Sequence, residues 1–362
     1  MKIMYLLYSF TTGGTERLVT DICNEMVRKG HEIHLYVVND LYDQSMLDGL
    51  DKRVTIQLQK RKAGGGGKLK TLLTLAKYIR ENRIDVIHCN SLDAPELLLF
   101  KPVAFPGARV VYTVHNMTGY RTLNKGKVIY RNLLCHRLIA ISESVRQEML
   151  RCGADSRKVV TVYNAIDLTR FEQGTDKVFD PSGPVIANVA RIDSQMKGQD
   201  VLIRAAALLK DRYPELRCLF AGSADRAHSE DEKRLRQMVA ELGLEKNARF
   251  FGNVEDIPGF LKQIDVFVLP SRSEGFGISL VEAMALGIPC VASGLDGPAE
   301  VLCGGERGML FHTGDPQSLA EKLDQLFRSY DMHKATAVQN VAYVKENFDI
   351  RGMCDRLLKE YQ

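Results

Sequence analysis

The segment SEGFGISLVEAMALGIP, residues 273–289, contains two carboxylates, Glu274 and Glu282, and no other charged side chain. Glu274 stands between the apolar strand DVFVLP and a helix predicted to begin at Ile278. The first N–H groups of a helix attract anions, and glycines let a ligand approach the backbone closely. The loop is therefore predicted to bind a ligand that has an anionic group. Its candidate binding residues are Glu274, Gly275, Phe276, Gly277 and Ile278.

Glu282 lies one to two turns into the same helix, and Ile278 and Leu286 share its face. A carboxylate among apolar neighbours needs hydrogen-bond donors, because burial without them is costly. The two hydroxyls of a ribose could supply these donors. Alternatively, a buried arginine could pair with Glu282, which would then only organise the core.

Two cations in a second loop favour the first interpretation, in which Glu282 binds the ribose of a nucleotide. The strand VIANVAR ends at Arg191, and Lys197 precedes the next helix. A guanidinium fork and an ammonium together suit a pyrophosphate. A solvated loop would explain either cation alone, but it explains the pair beside two glutamates less well.

Gly13 and Gly14, in SFTTGGTER, lie between the first predicted strand and the first helix. The spacing is not GxGxxG, and the next strand has no ribose-binding acid before Asp40. This pattern disfavours an NAD site. A glycine turn at this position can still present N–H groups to a phosphate.

Several polar residues stand where predicted strands end. His115 ends ARVVYTVH, Asn90 and Ser91 end DVIHCNS, and Asn164 ends KVVTVYN. Each one alone is typical of a turn, but ligands of open α/β sheets bind at these carboxyl ends of strands. We therefore predict that all four line a ligand site, whereas His88, inside an apolar strand, is predicted to be a core histidine.

Short apolar runs alternate with amphipathic helical stretches along the chain, which indicates the α/β class with parallel sheets. A non-periodic stretch rich in Gly, Pro and charge interrupts this alternation. We predict two Rossmann-like domains that face an interdomain cleft. The predicted bounds are 1–170 for the first domain, 171–184 for a linker, 185–340 for the second domain, and 341–362 for a C-terminal helix that packs back on the first domain.

The chain has 362 residues, and its charge is unevenly distributed. Residues 1–175 hold 26 basic and 17 acidic side chains, a net charge of +9, whereas the rest has a net charge of −5. The first half is expected to meet an anionic partner, although chance drift explains the split equally well. The eight cysteines have no metal-binding spacing and are predicted to be buried thiols. The glycine-rich patch KRKAGGGGKLK, residues 60–70, lacks a P-loop ending and is predicted to be a basic surface loop.

Five motifs in this order resemble the retaining glycosyltransferases of family 4, which have the GT-B fold. They are GGTER, RIDSQMKGQD, FFGNVED, SRSEGFGISLVEAMALGIPCVAS and GPAEVL. The resemblance covers nearly the whole chain, and the two glutamates with the EAMA-x-G-x-P tail are its most specific part. The chain departs from the family at Asn90, where a second histidine is common, and in GPAEV, which replaces the usual GGIPE.

The resemblance implies that the first domain, 1–170, binds the acceptor and that the second, 185–340, binds the nucleotide-sugar. Asn90 and Ser91 would then contact the acceptor, and Asn164 the donor. The resemblance also implies a role for each matching residue. Glu274 would bind the hydroxyls of the donor sugar, and Glu282 those of the ribose. Arg191 and Lys197 would neutralise the leaving diphosphate, with Gly14 close to it. His115 would contact the transferred sugar, and the backbone around Gly222 and Gly252 would hold the base. No Asp-x-Asp metal motif occurs, so neither a metal nor another cofactor is expected.

The expected function is retaining transfer of a sugar from a nucleotide-diphosphate donor to a saccharide acceptor. A UDP-sugar is favoured as donor, with GDP-mannose as the alternative, and a lipid-linked saccharide is expected as acceptor, in polysaccharide, capsule or lipopolysaccharide biosynthesis. A nucleotide-sugar 2-epimerase and a catalytically inactive partner subunit are the competing interpretations. Nucleic acid is not an expected partner.

The segment TGYRTLNKGKVIYRNLLCHR, residues 118–137, combines five basic residues with apolar side chains. Such a stretch can rest on an anionic membrane surface. The chain has no run of about 18 apolar residues that could span a membrane. We therefore expect a cytoplasmic protein that associates with the inner face of the membrane, and an ordinary solvated helix is the alternative.

Overall fold

The computed structural model describes residues 1–62, 67–115, 117–172, 177–224 and 228–362. They form two compact units. Unit 1 comprises Met1–Ala165 and Ile350–Gln362, and unit 2 comprises Ile166–Asp349. Four residues of the glycine-rich patch, 63–66, and residues 173–176 of the predicted linker lie outside the described residues.

Seven described strands of unit 1 form one parallel sheet with the order β3-β2-β1-β4-β5-β6-β7. Its inner strands are buried after their first residue, and β4 is buried throughout, as expected of a parallel sheet covered on both faces. The strands are β1 (Lys2–Leu7), β2 (Glu32–Asn39), β3 (Thr55–Arg61), β4 (Val86–Cys89), β5 (Arg109–Val114), β6 (Arg137–Ala140) and β7 (Val159–Thr161).

The helices of unit 1 connect these strands. Gly30, two residues after the end of the first helix, has a φ of 84°, in the left-handed region that favours glycine. Ser142 caps the last of them, since its hydroxyl accepts a hydrogen bond from the N–H of Val145. The helices are α1 (Gly14–Arg28), α2 (Gln44–Asp48), α3 (Lys68–Asn82), α4 (Lys101–Ala104), α5 (Met117–Arg121), α6 (Lys125–Leu134) and α7 (Glu143–Arg151), with a 3₁₀ turn at Ala94–Leu98.

Unit 2 contains a second parallel sheet, in which six described strands have the order β10-β9-β8-β11-β12-β13. They are β8 (Val185–Val189), β9 (Arg217–Ala221), β10 (Ala248–Phe250), β11 (Val266–Leu269), β12 (Cys290–Ser293) and β13 (Met309–Phe311). The helices are α8 (Ser194–Lys197), α9 (Gln199–Leu209), α10 (Ser229–Glu241), α11 (Ile257–Leu261), α12 (Ile278–Ala285), α13 (Asp296–Val301), α14 (Pro316–Arg328) and α15 (Tyr330–Asn347).

The end of the chain differs from the single helix expected over 341–362. Helix α15 continues to Asn347 within unit 2, and a separate helix, α16 (Ile350–Glu360), belongs to unit 1. The chain breaks at Phe348, a buried residue whose ring meets those of Phe276 and Tyr343 edge to face. The backbone here pairs with Ile166, whose N–H donates to the carbonyl oxygen of Phe348 at 3.0 Å, instead of continuing the helix.

Helix α16 packs against α1 in unit 1. Lys29 of α1 forms an ion pair of 2.7 Å with Asp355. The last aromatic residue, Tyr361, is buried, and its hydroxyl lies 2.6 Å from Nδ1 of His88. Nε2 of His88 lies 2.6 Å from the Thr113 hydroxyl. The prediction that His88 is a core histidine is therefore confirmed.

All eight cysteines are free thiols. Six are buried, and Cys152 and Cys303 are partly exposed, so the prediction of buried thiols is confirmed for six of them. Among the helices of the described ranges, none has the length and apolar character needed to cross a membrane.

Candidate active site

In each unit the strand order reverses at one point, and the carboxyl ends of the strands on either side form a crevice that binds ligands in open α/β sheets. In unit 2 this point lies between β8 and β11, which are paired neighbours. The segment between β8 and α9 contains Arg191 and, at the end of the short helix α8, Lys197, and the loop after β11 contains Glu274. The fold therefore brings three predicted site residues to one crevice.

The two loops meet in a direct contact. Nζ of Lys197 lies 2.7 Å from Oε2 of Glu274, and both side chains are mostly buried, with 24% and 17% of their surfaces exposed. A lysine ammonium has three donors, so this bond leaves two for a ligand. The pair fixes the ammonium beside the loop that leads into α12.

A second ion pair, between Arg272 and Asp200, holds the two loops together. Two nitrogens of the Arg272 guanidinium each lie 2.7 Å from an oxygen of Asp200, which is the bidentate arrangement. Nη1 of Arg272 also donates to the carbonyl oxygen of Ser194 at 2.6 Å. The backbone N–H of Arg272 donates to the carbonyl oxygen of Met196 at 2.8 Å. The short helix that ends in Lys197 is thus tied to the loop of Glu274.

Gly198 makes the close approach of these loops possible. Its φ is 67°, and a Cβ at this position would lie 2.0 Å from the carbonyl oxygen of Pro270. Only glycine fits here, because an L side chain would be strained and would also collide with backbone.

Asp193 and Gln199 hold Arg191 in place. Nη2 of Arg191 lies 3.3 Å from Oδ2 of Asp193, a buried carboxylate whose other oxygen accepts a hydrogen bond from the N–H of Met196. The amide of buried Gln199 donates to the carbonyl oxygen of Arg191 at 2.9 Å. With 51% of its side chain exposed, Arg191 is positioned yet accessible.

Helix α12 is preceded by Gly277, whose φ of 96° is left-handed and at which an added Cβ would lie 3.0 Å from Leu269. Its first turn starts at Ile278 and carries N–H groups that have no acceptor within the helix. The ring of Phe276 is buried, so this residue can serve a ligand only through its backbone. Glu282, one turn further, is almost entirely buried.

Backbone segments also pack closely at Gly275 and at the glycines after β9 and β10. A Cβ on Gly297 would lie 2.5 Å from the carbonyl carbon of Gly275, so α13 packs directly on that backbone. The N–H of Gly222 donates to the carbonyl oxygen of Gly252 at 2.7 Å. A Cβ on Gly222 would lie 2.0 Å from the carbonyl oxygen of Ala190.

In unit 1 the strand order reverses between β1 and β4. Gly13 and Gly14 follow β1 at the start of α1, as predicted. This helix start already has a carboxylate beside it, because a Cβ on Gly13 would lie 2.5 Å from Oε2 of Glu16. A phosphate would therefore bind here only if the flexible Glu16 side chain moved away.

His115 and Asn90 lie together at the ends of β5 and β4. Nε2 of His115 is 3.0 Å from Oδ1 of Asn90, whose amide donates to the carbonyl oxygen of His88. Since Oδ1 is then the acceptor, Nε2 carries the proton and Nδ1 is an acceptor. Nδ1 is buried and has no partner among the described residues, and burial lowers the pKa of His115 to about 4. A neutral imidazole with one unused acceptor can bind a hydroxyl.

The two other strand-end residues differ from each other. The hydroxyl of Ser91 accepts a hydrogen bond of 3.0 Å from the N–H of Tyr8, so it holds the chain after β1. Asn164 is 3% exposed, and its Oδ1 has no partner within the described chain.

Comparison with known proteins identifies the family. The model for glycosyltransferase family 4 matches residues 12–170, and the model for glycosyl transferases group 1 matches residues 170–340. Phosphatidyl-myo-inositol mannosyltransferase of Mycolicibacterium smegmatis is 33% identical over 295 residues, which cover 79% of this chain and 73% of that protein. The chain belongs to glycosyltransferase family 4.

Other family members and structures differ in how much they share with this chain. D-inositol 3-phosphate glycosyltransferase of Corynebacterium urealyticum is 32% identical over 200 residues, which cover 51% of this chain. The chain spans about half the length of that relative, 47%. The crystal structure of Anabaena Alr3699/HepE in complex with UDP and glucose has a TM-score of 0.84 at 23% identity, covering 99% of this chain and 98% of that one. This likeness confirms the predicted fold class: α/β, with two parallel-sheet Rossmann-like domains of the GT-B type.

Four residues that position this family 4 site were missed from the sequence: Asp193, Gln199, Asp200 and Arg272. Asp200 and Arg272 are 72 positions apart, and nothing in either segment indicates the other. Asp193 could have been found, because it precedes a short helix as a capping residue does and accepts from the N–H of Met196.

The segment 118–137 is less basic at its surface than its sequence indicated. Arg131 is fully buried. Arg121 forms an ion pair with Glu148, Lys127 with Asp93, and Arg137 with Glu360. These ion pairs within the protein neutralise most of the positive charge on which the predicted contact of this segment with an anionic membrane depended.

Proposed function

We propose that this family 4 protein is a retaining glycosyltransferase that moves a sugar from a nucleotide-diphosphate donor to a saccharide acceptor. The observation that carries the proposal is the crevice of unit 2, where Lys197 contacts Glu274 at 2.7 Å beside Arg191 and the start of α12. An ammonium, a guanidinium and helix N–H groups suit a diphosphate, and an adjacent carboxylate suits the hydroxyls of a sugar.

In the proposed reaction, the bond between the anomeric carbon and the diphosphate oxygen breaks. The acceptor oxygen forms its bond to that carbon on the same face, and its proton passes to a phosphate oxygen of the leaving group. Arg191, Lys197 and α12 stabilise the negative charge that develops on the diphosphate. No protein side chain acts as nucleophile, and fixed cations do the work that a metal ion does in other transferases.

We assign the remaining residues by the same chemistry. Glu282 binds the ribose hydroxyls, and backbone at Gly222 and Gly252 holds the base. In unit 1, Nδ1 of the neutral His115 accepts a hydrogen bond from a hydroxyl of the transferred sugar. Gly14 binds the diphosphate through its N–H, with Glu16 displaced.

A UDP-sugar is the favoured donor, because the Anabaena neighbour is described with UDP and glucose. The mannosyltransferase relative supports GDP-mannose as the second candidate. The names of relatives that act on phosphatidyl-myo-inositol or in lipopolysaccharide core biosynthesis support a lipid-linked acceptor for a glycolipid or polysaccharide. Any contact with a membrane would rest on exposed Ile129 and Leu133 of α6.

The test is a donor screen in which UDP-, GDP- and ADP-sugars are incubated with the protein and EDTA, and free nucleotide is measured. We expect slow hydrolysis of one donor, and Lys197→Ala should slow it about a hundredfold, as loss of one charge-stabilising group does. Lys322→Ala, at a partly exposed position of α14, is the matched control and should leave the rate unchanged.

The anomeric configuration of the released or transferred sugar, followed by NMR, tests retention. Inversion would contradict the retaining mechanism. Absence of hydrolysis and of binding for every donor would contradict the proposed function altogether.

A further inference from the structure

A groove of about 670 Å³ opens at the carboxyl edge of the sheet in unit 1. Its lining comes from the ends of β1 and β3, the first turns of α3, the segment after β4, and α6. The residues that the argument uses are Tyr8, Arg61, Lys68, Leu72, Leu99 and Tyr130. The volume suits a small ligand such as one or two sugar rings.

The acidic residues of this groove are neutralised within the protein. Nζ of Lys127 lies 2.8 Å from Oδ1 of Asp93 and 3.3 Å from Oε1 of Glu96. Nη2 of the fully buried Arg131 lies 3.1 Å from the same Glu96 oxygen. These four side chains together bring no net charge to the groove.

Two basic residues of the groove are not neutralised. Arg61 donates from Nε to the amide oxygen of Asn39 at 3.1 Å, and its guanidinium carbon lies 5.6 Å from the centre of the Tyr8 ring. Neither Arg61 nor Lys68 forms an ion pair with any carboxylate of the described chain. The terminal nitrogens of Arg61 and the ammonium of Lys68 therefore have donors left for an anion.

The rest of the lining suits a sugar ring. The phenol rings of Tyr8 and Tyr130 offer flat apolar faces, and Leu72 and Leu99 add aliphatic surface. Tyr8 is fixed by the bond from its N–H to Ser91, and its hydroxyl lies 3.5 Å from the carbonyl oxygen of Asp93. An aromatic platform next to two uncompensated cations matches a sugar that carries a phosphate, whose charge approaches −2, better than a neutral sugar or a uronate.

We propose that this groove binds the acceptor through a phosphate group beside its sugar, and that Arg61 and Lys68 select for that phosphate. The proposal deepens the proposed function by naming the acceptor class and rests on it. A lipid headgroup and a free sugar phosphate share this chemistry.

The test measures binding by titration calorimetry with glucose 1-phosphate, glucose and inorganic phosphate. A saturating nucleoside diphosphate from the donor screen is present, so that the crevice of unit 2 is filled. We expect glucose 1-phosphate to bind, and Arg61→Ala and Lys68→Ala each to raise its Kd about tenfold, the loss of one charge-assisted contact. Lys70→Ala, on another face of the same helix, is the control and should not change it.

A second arm measures co-sedimentation with phosphatidylcholine vesicles that contain or lack phosphatidylinositol. If binding to vesicles depends on Arg61 and Lys68, the phosphate belongs to a lipid headgroup. If only the calorimetric binding of glucose 1-phosphate depends on them, the phosphate belongs to a free sugar phosphate. The inference is overturned if glucose binds as well as glucose 1-phosphate, or if neither variant weakens binding in either arm.

Donor hydrolysis separates this inference from the proposed function. The circular dichroism spectra of the two variants should match that of the wild-type protein, which shows that they fold. Lys68 is exposed at the start of α3, so Lys68→Ala decides the matter if Arg61→Ala is unstable. If the wild-type protein neither hydrolyses nor binds any donor, the proposed function fails while phosphate binding in the groove can still be measured.

Discussion

The crevice of unit 2 and the groove of unit 1 treat their charges differently. In unit 2 the charged residues beside the strand reversal bind one another: Lys197 pairs with Glu274, and Arg272 pairs with Asp200. In unit 1 the carboxylates of the groove are neutralised by Lys127 and Arg131, and Arg61 and Lys68 are left over.

This difference suggests two strategies for binding anions. Unit 2 builds a prearranged site, in which the cation is already oriented before the ligand arrives, and such preorganisation favours stabilisation of a developing charge. Unit 1 keeps two cations without carboxylate partners. An anionic ligand therefore gains their full electrostatic attraction, but its binding must also order their side chains. Changes to the prearranged site should therefore affect turnover, and changes to the groove should affect affinity.

The largest effect is expected for Gly198→Ala, which changes no charge but separates the two loops of unit 2. The added methyl would lie 2.0 Å from the carbonyl oxygen of Pro270, in a left-handed conformation. Displacement of Lys197 by about 1 Å should lower donor turnover about a hundredfold. Free nucleotide released per minute is the measurement.

Gly243→Ala is the matched control for this change. Gly243 is also left-handed, with a φ of 65°, but the nearest atom to an added Cβ is 3.7 Å away, at the flexible end of Lys210. It should cost about 1 kcal/mol of stability and leave turnover unchanged. Equal turnover of the two variants would show that the contact with Pro270 does not orient Lys197.

A smaller loss is expected when the Arg272–Asp200 pair is broken, because these residues only position Lys197. Asp200→Asn should lower kcat about tenfold and change the KM of the donor little, since the diphosphate charge develops mainly in the transition state. Asp200→Glu, which restores the carboxylate, should recover part of the rate.

The control for the ion pair is Glu232→Gln on α10, which breaks the exposed pair between Arg236 and Glu232. Exposed pairs contribute little, so activity should not change. If Asp200→Asn raises KM with kcat intact, the pair acts on ground-state binding instead.

Much of this architecture follows from local sequence. Alternation of apolar strands with amphipathic helices predicted two parallel sheets, but it does not mark β3, an edge strand. Five of the seven residues of its sequence TIQLQKR are polar and none is fully buried, so β3 lacks the apolar run of the other strands. Lys197 and Glu274 were predicted because each sits beside glycines at the end of an apolar strand.

Contacts between distant segments could not be predicted in the same way. The pairing of Asp200 with Arg272, and of Asp93 and Glu96 with Lys127, depends on tertiary packing that no periodicity encodes. For the same reason residues 118–137 were interpreted as a basic surface: the count of positive charges was correct, but their carboxylate partners come from other parts of the chain.

The smallest effect concerns pH and the buried histidines of unit 1. Burial lowers the pKa of His115 to about 4, and burial together with the charge of His115 lowers that of His88 to about 3. In the unfolded chain both pKa values return to about 6.5. Between these limits only the unfolded state binds the protons, so the free energy of unfolding falls as the pH falls from 6.5 towards 4.

Urea unfolding of the wild-type protein and of His115→Gln at pH 7 and pH 5, followed by circular dichroism, tests this dependence. Part of the His115 surface is exposed, so we expect its replacement to reduce the acid-induced loss of stability by about 1 kcal/mol, less than a fully enclosed ring would give. His312→Gln, an exposed position in unit 2, should leave the loss as in the wild type. An identical loss in His115→Gln and the wild-type protein would mean that His115 is already protonated at pH 5, and its Nδ1 would then be a donor and unable to accept a hydrogen bond from a sugar hydroxyl.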